Sequence, residues 1–245
     1  GSGNTVVPRG DFLKALISTH DGNQFGNSDS INEDIWALMA LLHSGYSPGD
    51  PVIDSTISYI VDNQGEDGGW SWATPFNDWY AASTPDDTAG VLMALSAAGH
   101  TTDDPVIMQA VDYLHGAQSD QGGFAYLGIT NTSSTAWTVS ALVALGLNPA
   151  DWNTVNGTPI DYLLSMQASD GSFKFADPMP EGYMAMPEKM TADAIVALLG
   201  QSYMVSPQDG ASSTNPAFLW PVLGVLITSM IIFLWYFNRT RNAKT

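Results

Sequence analysis

Two patterns of apolar residues alternate along the chain. Over residues 105–117, Val106, Ala110, Tyr113 and Leu114 follow the i, i+4, i+7, i+8 spacing that marks one face of an amphipathic helix. Over residues 136–145, apolar side chains fill nearly the whole circumference, which is typical of a helix enclosed on most sides. The alternation predicts an amphipathic layer packed on an enclosed layer. The enclosed helices are predicted over residues 32–43, 86–98, 134–145 and 191–201.

A short motif follows each amphipathic helix. An aromatic residue precedes a glutamine by five positions, and a glycine-containing turn delivers a second aromatic six positions after the glutamine. The glutamine–aromatic pairs are Gln64 with Trp70, Gln118 with Phe124, and Gln167 with Phe173. A degenerate first copy, residues 12–25, keeps the turn and loses the glutamine. Repetition at about 50-residue spacing predicts stacked helix pairs that share one core.

These glutamine–glycine–aromatic motifs on alternating helices resemble the prenyltransferase/squalene-cyclase repeat superfamily, which has an αα-toroid fold. The resemblance implies an all-α fold, a partial α/α barrel of about four helix pairs. It also implies that the paired Gln and aromatic residues are structural, tying neighbouring helices together. Residues 34–203 look closest to transcobalamin/intrinsic-factor-like bacterial or archaeal surface proteins, through phrases such as Met190-Thr191-Ala192. Four pairs are fewer than a closed toroid needs, so we expect an open ring or one completed by another chain.

The charge is strongly acidic and unevenly placed. All 25 acidic residues precede residue 217, together with four of the seven basic ones, and the whole chain carries a net charge of −18. Phosphate backbones are bound by clustered Lys and Arg, which this chain does not have. A nucleic-acid partner is therefore excluded.

Residues 217–237 read AFLWPVLGVLITSMIIFLWYF and carry no charge. At 1.5 Å per residue, a helix of this length spans the hydrocarbon core of a bilayer, which is about 30 Å thick. The tail at residues 238–245 has three basic and no acidic residues, so the positive-inside rule places it in the cytoplasm. The prediction is a single-pass protein of the cell membrane, with an extracytoplasmic domain at residues 1–205 and a polar linker at residues 206–216.

An exported domain allows modification outside the cell. Asn131 and Asn156 each begin an N-x-[ST] sequon, so both are candidate glycosylation sites. The chain has no cysteine, and its four histidines are scattered, so we predict no metal site and name no cofactor.

Two adjacent carboxylates are the candidate catalytic residues. The segment Thr84-Pro85-Asp86-Asp87-Thr88-Ala89 resembles the Asp-x-Asp-Asp-Thr-Ala motif of squalene–hopene-type cyclases, with Thr84 in place of the first Asp. The resemblance implies that Asp86 would be the general acid that protonates an alkene, with Asp87 as its neighbour. The alternative is that both acids cap the helix that follows, because acidic side chains are favourable at a helix N-terminus.

Aromatic residues near the turns are the candidate ligand-binding residues. They are Trp72, Trp79, Tyr80, Tyr126, Trp137 and Phe175. Aromatic rings with a few carboxylates on a concave apolar surface suit a small ligand or a protruding loop of a partner protein. The alternative is that they fill the centre of a small toroid.

The sequence therefore predicts a membrane-anchored, non-catalytic binding or assembly module for a small ligand or another protein subunit. One alternative is a class II terpene-cyclase-like enzyme that uses Asp86 as its acid. The other is a corrinoid-binding surface protein, which the transcobalamin likeness implies.

Overall fold

The computed structural model describes residues 9–74 and 82–203. The predicted linker, membrane segment and basic tail lie outside these residues, and so do Trp79 and Tyr80. None of the helices in the two described ranges has the length and hydropathy needed to cross a membrane.

Helices dominate the described residues. The first repeat contains α1 (Arg9–Ile17) and α2 (Asn32–His43), and the second contains α3 (Pro51–Asp62) and α4 (Pro85–Ala97). The third contains α5 (Pro105–Ala117), the strands β1 (Phe124–Tyr126) and β2 (Ile129–Asn131), and α6 (Thr132–Ala144). A short 3-10 turn (Pro149–Asp151) leads to the fourth repeat, α7 (Pro159–Ser165) and α8 (Pro187–Leu198).

The predicted two-layer, mostly helical arrangement is confirmed. The even-numbered helices form the enclosed layer, in which α2 packs on α4, α4 on α6 and α6 on α8. The odd-numbered helices α3, α5 and α7 pack on α2, α4 and α6 respectively. Along α4 every side chain from Thr88 to Leu95 is buried, whereas α5 buries only Ile107, Ala110 and Leu114.

The strictly all-α expectation is wrong at one place. Phe124–Tyr126 and Ile129–Asn131 form an antiparallel hairpin between α5 and α6. Its turn holds Leu127 and Gly128 at φ 49° and 80°. Such a two-residue loop with positive φ angles has the twist that joins paired strands, and the helical periodicity around it does not reveal so short a pairing.

The glutamines join each turn to the next helix pair. The Gln64 side-chain nitrogen donates to Gly68 O at 2.8 Å and to Val106 O of α5 at 2.9 Å. Gln118 makes the equivalent bonds, to Gly122 O and Trp152 O, both at 2.9 Å. The corners at Gln64 and Gln118 therefore each bind their own turn and a backbone carbonyl of the following repeat.

The aromatic residue that ends each turn is held by the next enclosed helix. The backbone N–H groups of Trp70, Phe124 and Phe173 donate to the hydroxyls of Thr88, Thr135 and Thr191, at 2.9 to 3.0 Å. Their side chains are buried in the core. These three bonds fix the register of the repeat, so Thr88, Thr135 and Thr191 are equivalent positions.

Asn131 ends the hairpin and caps α6. Its side-chain oxygen accepts from Ser134 N at 2.9 Å, and the residue is only 1% exposed. A glycan on this buried side chain is incompatible with the fold, so the sequon prediction at Asn131 is wrong. Asn156 is exposed, and glycosylation there stays a prediction.

Candidate functional site

The repeat register brings equivalent residues of all four enclosed helices to one pocket. Asn32, Asp86, Ser133 and Lys189 occupy the same position near the start of α2, α4, α6 and α8. One helical turn later, the equivalent residues are Trp36, Gly90, Trp137 and Asp193. All of them except Asp193 line a pocket of about 350 Å³, together with Ile35 and Asp87. This volume is in the range of small-molecule sites.

Two tryptophans form one side of the pocket. The rings of Trp36 and Trp137 meet edge to face with centroids 5.7 Å apart, and Tyr203 stacks on Trp137 at 5.2 Å. Gly90 lies between α2 and α6, and a Cβ there would be 3.6 Å from Ile35 and 3.9 Å from Trp137. The absence of a side chain at Gly90 therefore gives the pocket its room.

Asp86 supplies the carboxyl group of the pocket. Its Oδ1 is buried and has no hydrogen-bond partner within residues 9–74 and 82–203. The Ser134 hydroxyl, which itself accepts from Asn131 Nδ2 at 2.8 Å, is hydrogen-bonded to the Asp86 carboxyl group. Burial raises the pKa of Asp86 to about 6, opposed mainly by the Ser134 hydrogen bond.

Asp87 has a different role from Asp86. The Thr84 hydroxyl accepts from Asp87 N at 3.1 Å and donates to Asp87 Oδ2 at 2.6 Å, which caps α4. Burial raises the Asp87 pKa, and the hydrogen bonds from the Thr84 hydroxyl and the Trp72 backbone lower it. The two carboxylates that line the pocket therefore differ in their contacts: Asp87 is held in the cap of α4, whereas the Oδ1 of Asp86 has no partner in the described residues.

A polar network closes the pocket on the α8 side. Asp193 Oδ2 accepts from Lys189 Nζ at 2.6 Å and from Ser133 Oγ at 2.9 Å. Its Oδ1 accepts from the Tyr203 hydroxyl at 2.7 Å. Because Asp193 neutralises Lys189, the remaining charge of the pocket comes from Asp86 and Asp87 and is negative.

The structure separates the aromatic residues that the sequence groups together. Trp137 lines the pocket. Tyr126 lies close enough for Asp86 and Asp87 to contribute to its raised pKa, after burial as the main cause, and Trp72 contacts Asp87 through its backbone. Phe175 stacks on Tyr183 at 5.5 Å and packs in a separate core cluster with α7 and α8.

Sequence reasoning missed most of the other pocket residues. Trp36, Gly90, Ser133 and Lys189 share no chemistry, so no motif marks them. Gly90, Ser133 and Lys189 could have been found by counting two positions before or after Thr88, Thr135 and Thr191, and Trp36 by counting two positions after Asp34, the equivalent residue of the first repeat. These pocket residues share a position within the repeat and not a residue type.

Comparison with known proteins finds sequence similarity to squalene–hopene cyclases. Residues 11–132 match the squalene-hopene cyclase C-terminal domain family, a range that includes Asp86. The chain is 34% identical over 94 residues to a squalene–hopene cyclase of Bradyrhizobium diazoefficiens, covering 36% of this chain and 14% of the relative. It is 27% identical over 150 residues to a squalene–hopene cyclase of Zymomonas mobilis, covering 56% of this chain and 21% of the relative.

A solved structure shares the fold more widely. A polysaccharide lyase superimposes on 78% of this chain with a TM-score of 0.55 and 14% identity, and 65% of that chain is covered. The chain spans at most about a fifth of the curated relatives reported above. The matches to cyclases support the resemblance to the squalene-cyclase repeat superfamily, and they do not support a closer likeness to transcobalamin-like proteins.

Proposed function

We propose that this chain is a non-catalytic binding module whose pocket at Asp86 takes a small ligand with an apolar body and a cationic group. The observation that carries this proposal is the half-buried Asp86 side chain, which lines a pocket walled by Trp36 and Trp137 and whose Oδ1 has no hydrogen-bond partner in residues 9–74 and 82–203. An ionised carboxylate in such a place is stabilised by a cation that enters beside it.

The aromatic wall favours the same ligand. A cationic group within about 6 Å of a tryptophan ring is attracted by the negative face of the ring, and the attraction is larger when water is excluded. The apolar part of the ligand then gains by covering Ile35 and the tryptophan rings. The net charge of −18 on the chain adds a long-range attraction for cations.

The size of the pocket limits the ligand. A volume of about 350 Å³ suits a small amine and does not enclose a corrinoid, whose macrocycle and nucleotide loop are much larger. The corrinoid hypothesis is therefore not favoured. Display outside the cell on a membrane helix at residues 217–237 remains part of the proposal, supported by the sequence pattern alone.

Calorimetric titration of the full chain with benzyltrimethylammonium and with its neutral tert-butyl isostere tests the proposal. We expect the cation to bind at least tenfold more tightly, and Asp86→Asn to remove that preference while Asp103→Asn, at an exposed loop carboxylate, keeps it. Equal binding of the two probes, or an unchanged preference in Asp86→Asn, would show that the pocket is not a cation site.

A second candidate function is a cyclase-like proton transfer from Asp86 to an alkene. It is favoured by the match of residues 11–132 to the squalene-hopene cyclase C-terminal domain family, and by the buried Oδ1 of Asp86, which has no hydrogen-bond partner in the described residues. This reaction needs the protonated acid. Turnover of squalene by the full chain, lost in Asp86→Asn, would support it.

A further inference from the structure

The face of α8 that lies away from α6 is exposed, whereas the equivalent faces of α2, α4 and α6 are buried. Leu38, Leu92 and Val139 occupy equivalent positions and are each 0% exposed, whereas Ile195, the fourth member of this set, is 43% exposed. In the first three repeats, α4, α6 and α8 pack against the helix that carries this position. No helix among the described residues packs onward against α8.

Two further apolar residues at the end of the enclosed layer, Ala192 and Leu199, are also exposed. Ala89 and Ala136 are fully buried, and their equivalent Ala192 is exposed. Leu199, one turn beyond Ile195, is 56% exposed. Ala192, Ile195 and Leu199 follow i, i+3, i+7 spacing, so they form one continuous apolar stripe.

The amphipathic layer ends in the same way. Gln167 donates to its own turn at Gly171 O at 3.3 Å and, unlike Gln64 and Gln118, reaches no carbonyl of a following repeat in the described part of the chain. Leu164 is half exposed at the position where His115 stacks on Trp152 with ring centroids 3.7 Å apart. We name Leu164, Gln167, Ala192, Ile195 and Leu199 the trailing edge.

We propose that the trailing edge binds the α2 side of a second copy of this chain, head to tail, and so continues the interface between repeats across two molecules. None of the five trailing-edge residues lines the pocket at Asp86.

The chemistry of the existing interfaces identifies the partner surface. Small residues of each enclosed helix pack against the preceding enclosed helix. Gly90 of α4 lies against Ile35 of α2, and Ala94, Ala141 and Ala197 are buried at equivalent positions on α4, α6 and α8. Ala40 is their equivalent on α2, and it is exposed because no repeat precedes it in the described residues. The helix α2 therefore offers the small residue Ala40 to a trailing edge, beside the exposed Trp36, which is the α2 equivalent of Gly90.

Such an interface is heterologous, since it joins two different surfaces of the same chain. Two copies that engage both edges would close into a ring, and otherwise the copies would form a linear series. The net charge of −18 on each copy opposes association, and salt screens this repulsion. Association is therefore expected to increase with ionic strength.

Disulfide trapping tests the pairing, because the chain has no cysteine of its own. Full-length Ile195→Cys and Ala40→Cys chains, labelled with different tags, are mixed and oxidised in 0.5 M salt. We expect the mixed disulfide to form at least tenfold more than a disulfide between Ile195→Cys and Val155→Cys, whose side chain is 88% exposed in a loop away from both edges.

A second variant separates specific pairing from random collision. Ile195→Glu added to an Ala192→Cys chain should remove the mixed disulfide of that chain with Ala40→Cys, because a charge cannot be buried unpaired in this interface. Dominant Ile195→Cys homodimers, or mixed disulfides no more abundant than with Val155→Cys, would overturn the proposal. Persistence of the disulfide with Ile195→Glu would also overturn it.

Discussion

Asp34 takes the place of a threonine in the repeat: its Oδ1 accepts from Phe25 N at 2.7 Å, as the Thr88 hydroxyl accepts from Trp70 N. The equivalent Thr135 hydroxyl also donates, to Asn131 O at 2.8 Å. An ionised carboxylate cannot donate, and Asp34 Oδ2 is buried without a partner among the described residues. Burial accordingly raises the pKa of Asp34 to about 7.

This acid makes stability depend on pH. The native state holds a proton on Asp34 up to about pH 7, while the unfolded chain releases it near the ordinary aspartate pKa of 3.8. The free energy of unfolding therefore falls as pH rises from about 4 to 7. We predict that Asp34→Thr removes this contribution and stabilises the full chain above pH 7 by a few kcal/mol, measured by urea unfolding at pH 5 and pH 8.

The reciprocal substitution is the matched control. Thr135→Asp places a carboxyl group in the same register on α6, where the residue is fully buried. The free energy of unfolding of Thr135→Asp should fall more between pH 5 and pH 8 than that of the parent chain, which has no carboxyl group at this position of α6. An unchanged pH dependence in both variants would mean that Asp34 is ionised in the folded protein at pH 5.

The affinity of the Asp86 pocket for a cation and the rate of a proton transfer from Asp86 should change with pH in opposite directions. Because the pKa of Asp86 is about 6, a cation should bind up to tenfold more tightly at pH 7.5 than at pH 5. A reaction that needs the protonated acid should instead slow over the same interval. Titration with benzyltrimethylammonium and turnover of squalene at both pH values distinguish the two functions.

The glutamine corners should contribute unequally to stability. Gln64→Ala removes two short hydrogen bonds, one of them to α5, and should lower the free energy of unfolding by roughly 1–3 kcal/mol. Gln167→Ala removes one bond at 3.3 Å from an exposed side chain and should cost less than about 1 kcal/mol. Urea unfolding of the two variants side by side measures the difference, and equal losses would contradict the role given to Val106 O.

Replacement of Gly90 by alanine should stabilise the fold and reduce the volume of the pocket. A Cβ at this helical position meets its neighbours at ordinary contact distances of 3.6 to 3.9 Å. Gly90→Ala is therefore expected to raise the free energy of unfolding by about 1 kcal/mol, since alanine restricts the unfolded chain and favours the helix. The same methyl group narrows the pocket at Trp137 and should weaken binding of the cationic probe several-fold. Gly116→Ala, in α5 with nothing near its Cβ, is the control that should leave binding unchanged.

The site could be predicted only in part. A motif resemblance indicates Asp86 and aromatic character indicates Trp137, and both residues line the pocket. Trp36 and Lys189 were not found, since they are distant in sequence from Asp86 and chemically unlike it. Their common feature, the repeat position, becomes visible when the bonds from Trp70, Phe124 and Phe173 show which threonines correspond.

The sequence by itself determined the two helix layers, the corner motif and the acidic charge, because helical periodicity and turn residues act over a few neighbouring positions. Only the tertiary structure decided that Asp86 and Asp87 line one pocket, with Asp87 also capping α4, and that Ile195 is exposed where Leu92 is buried. Burial and electrostatic environment depend on which segments pack together, and that packing joins residues about 50 positions apart that no local pattern relates.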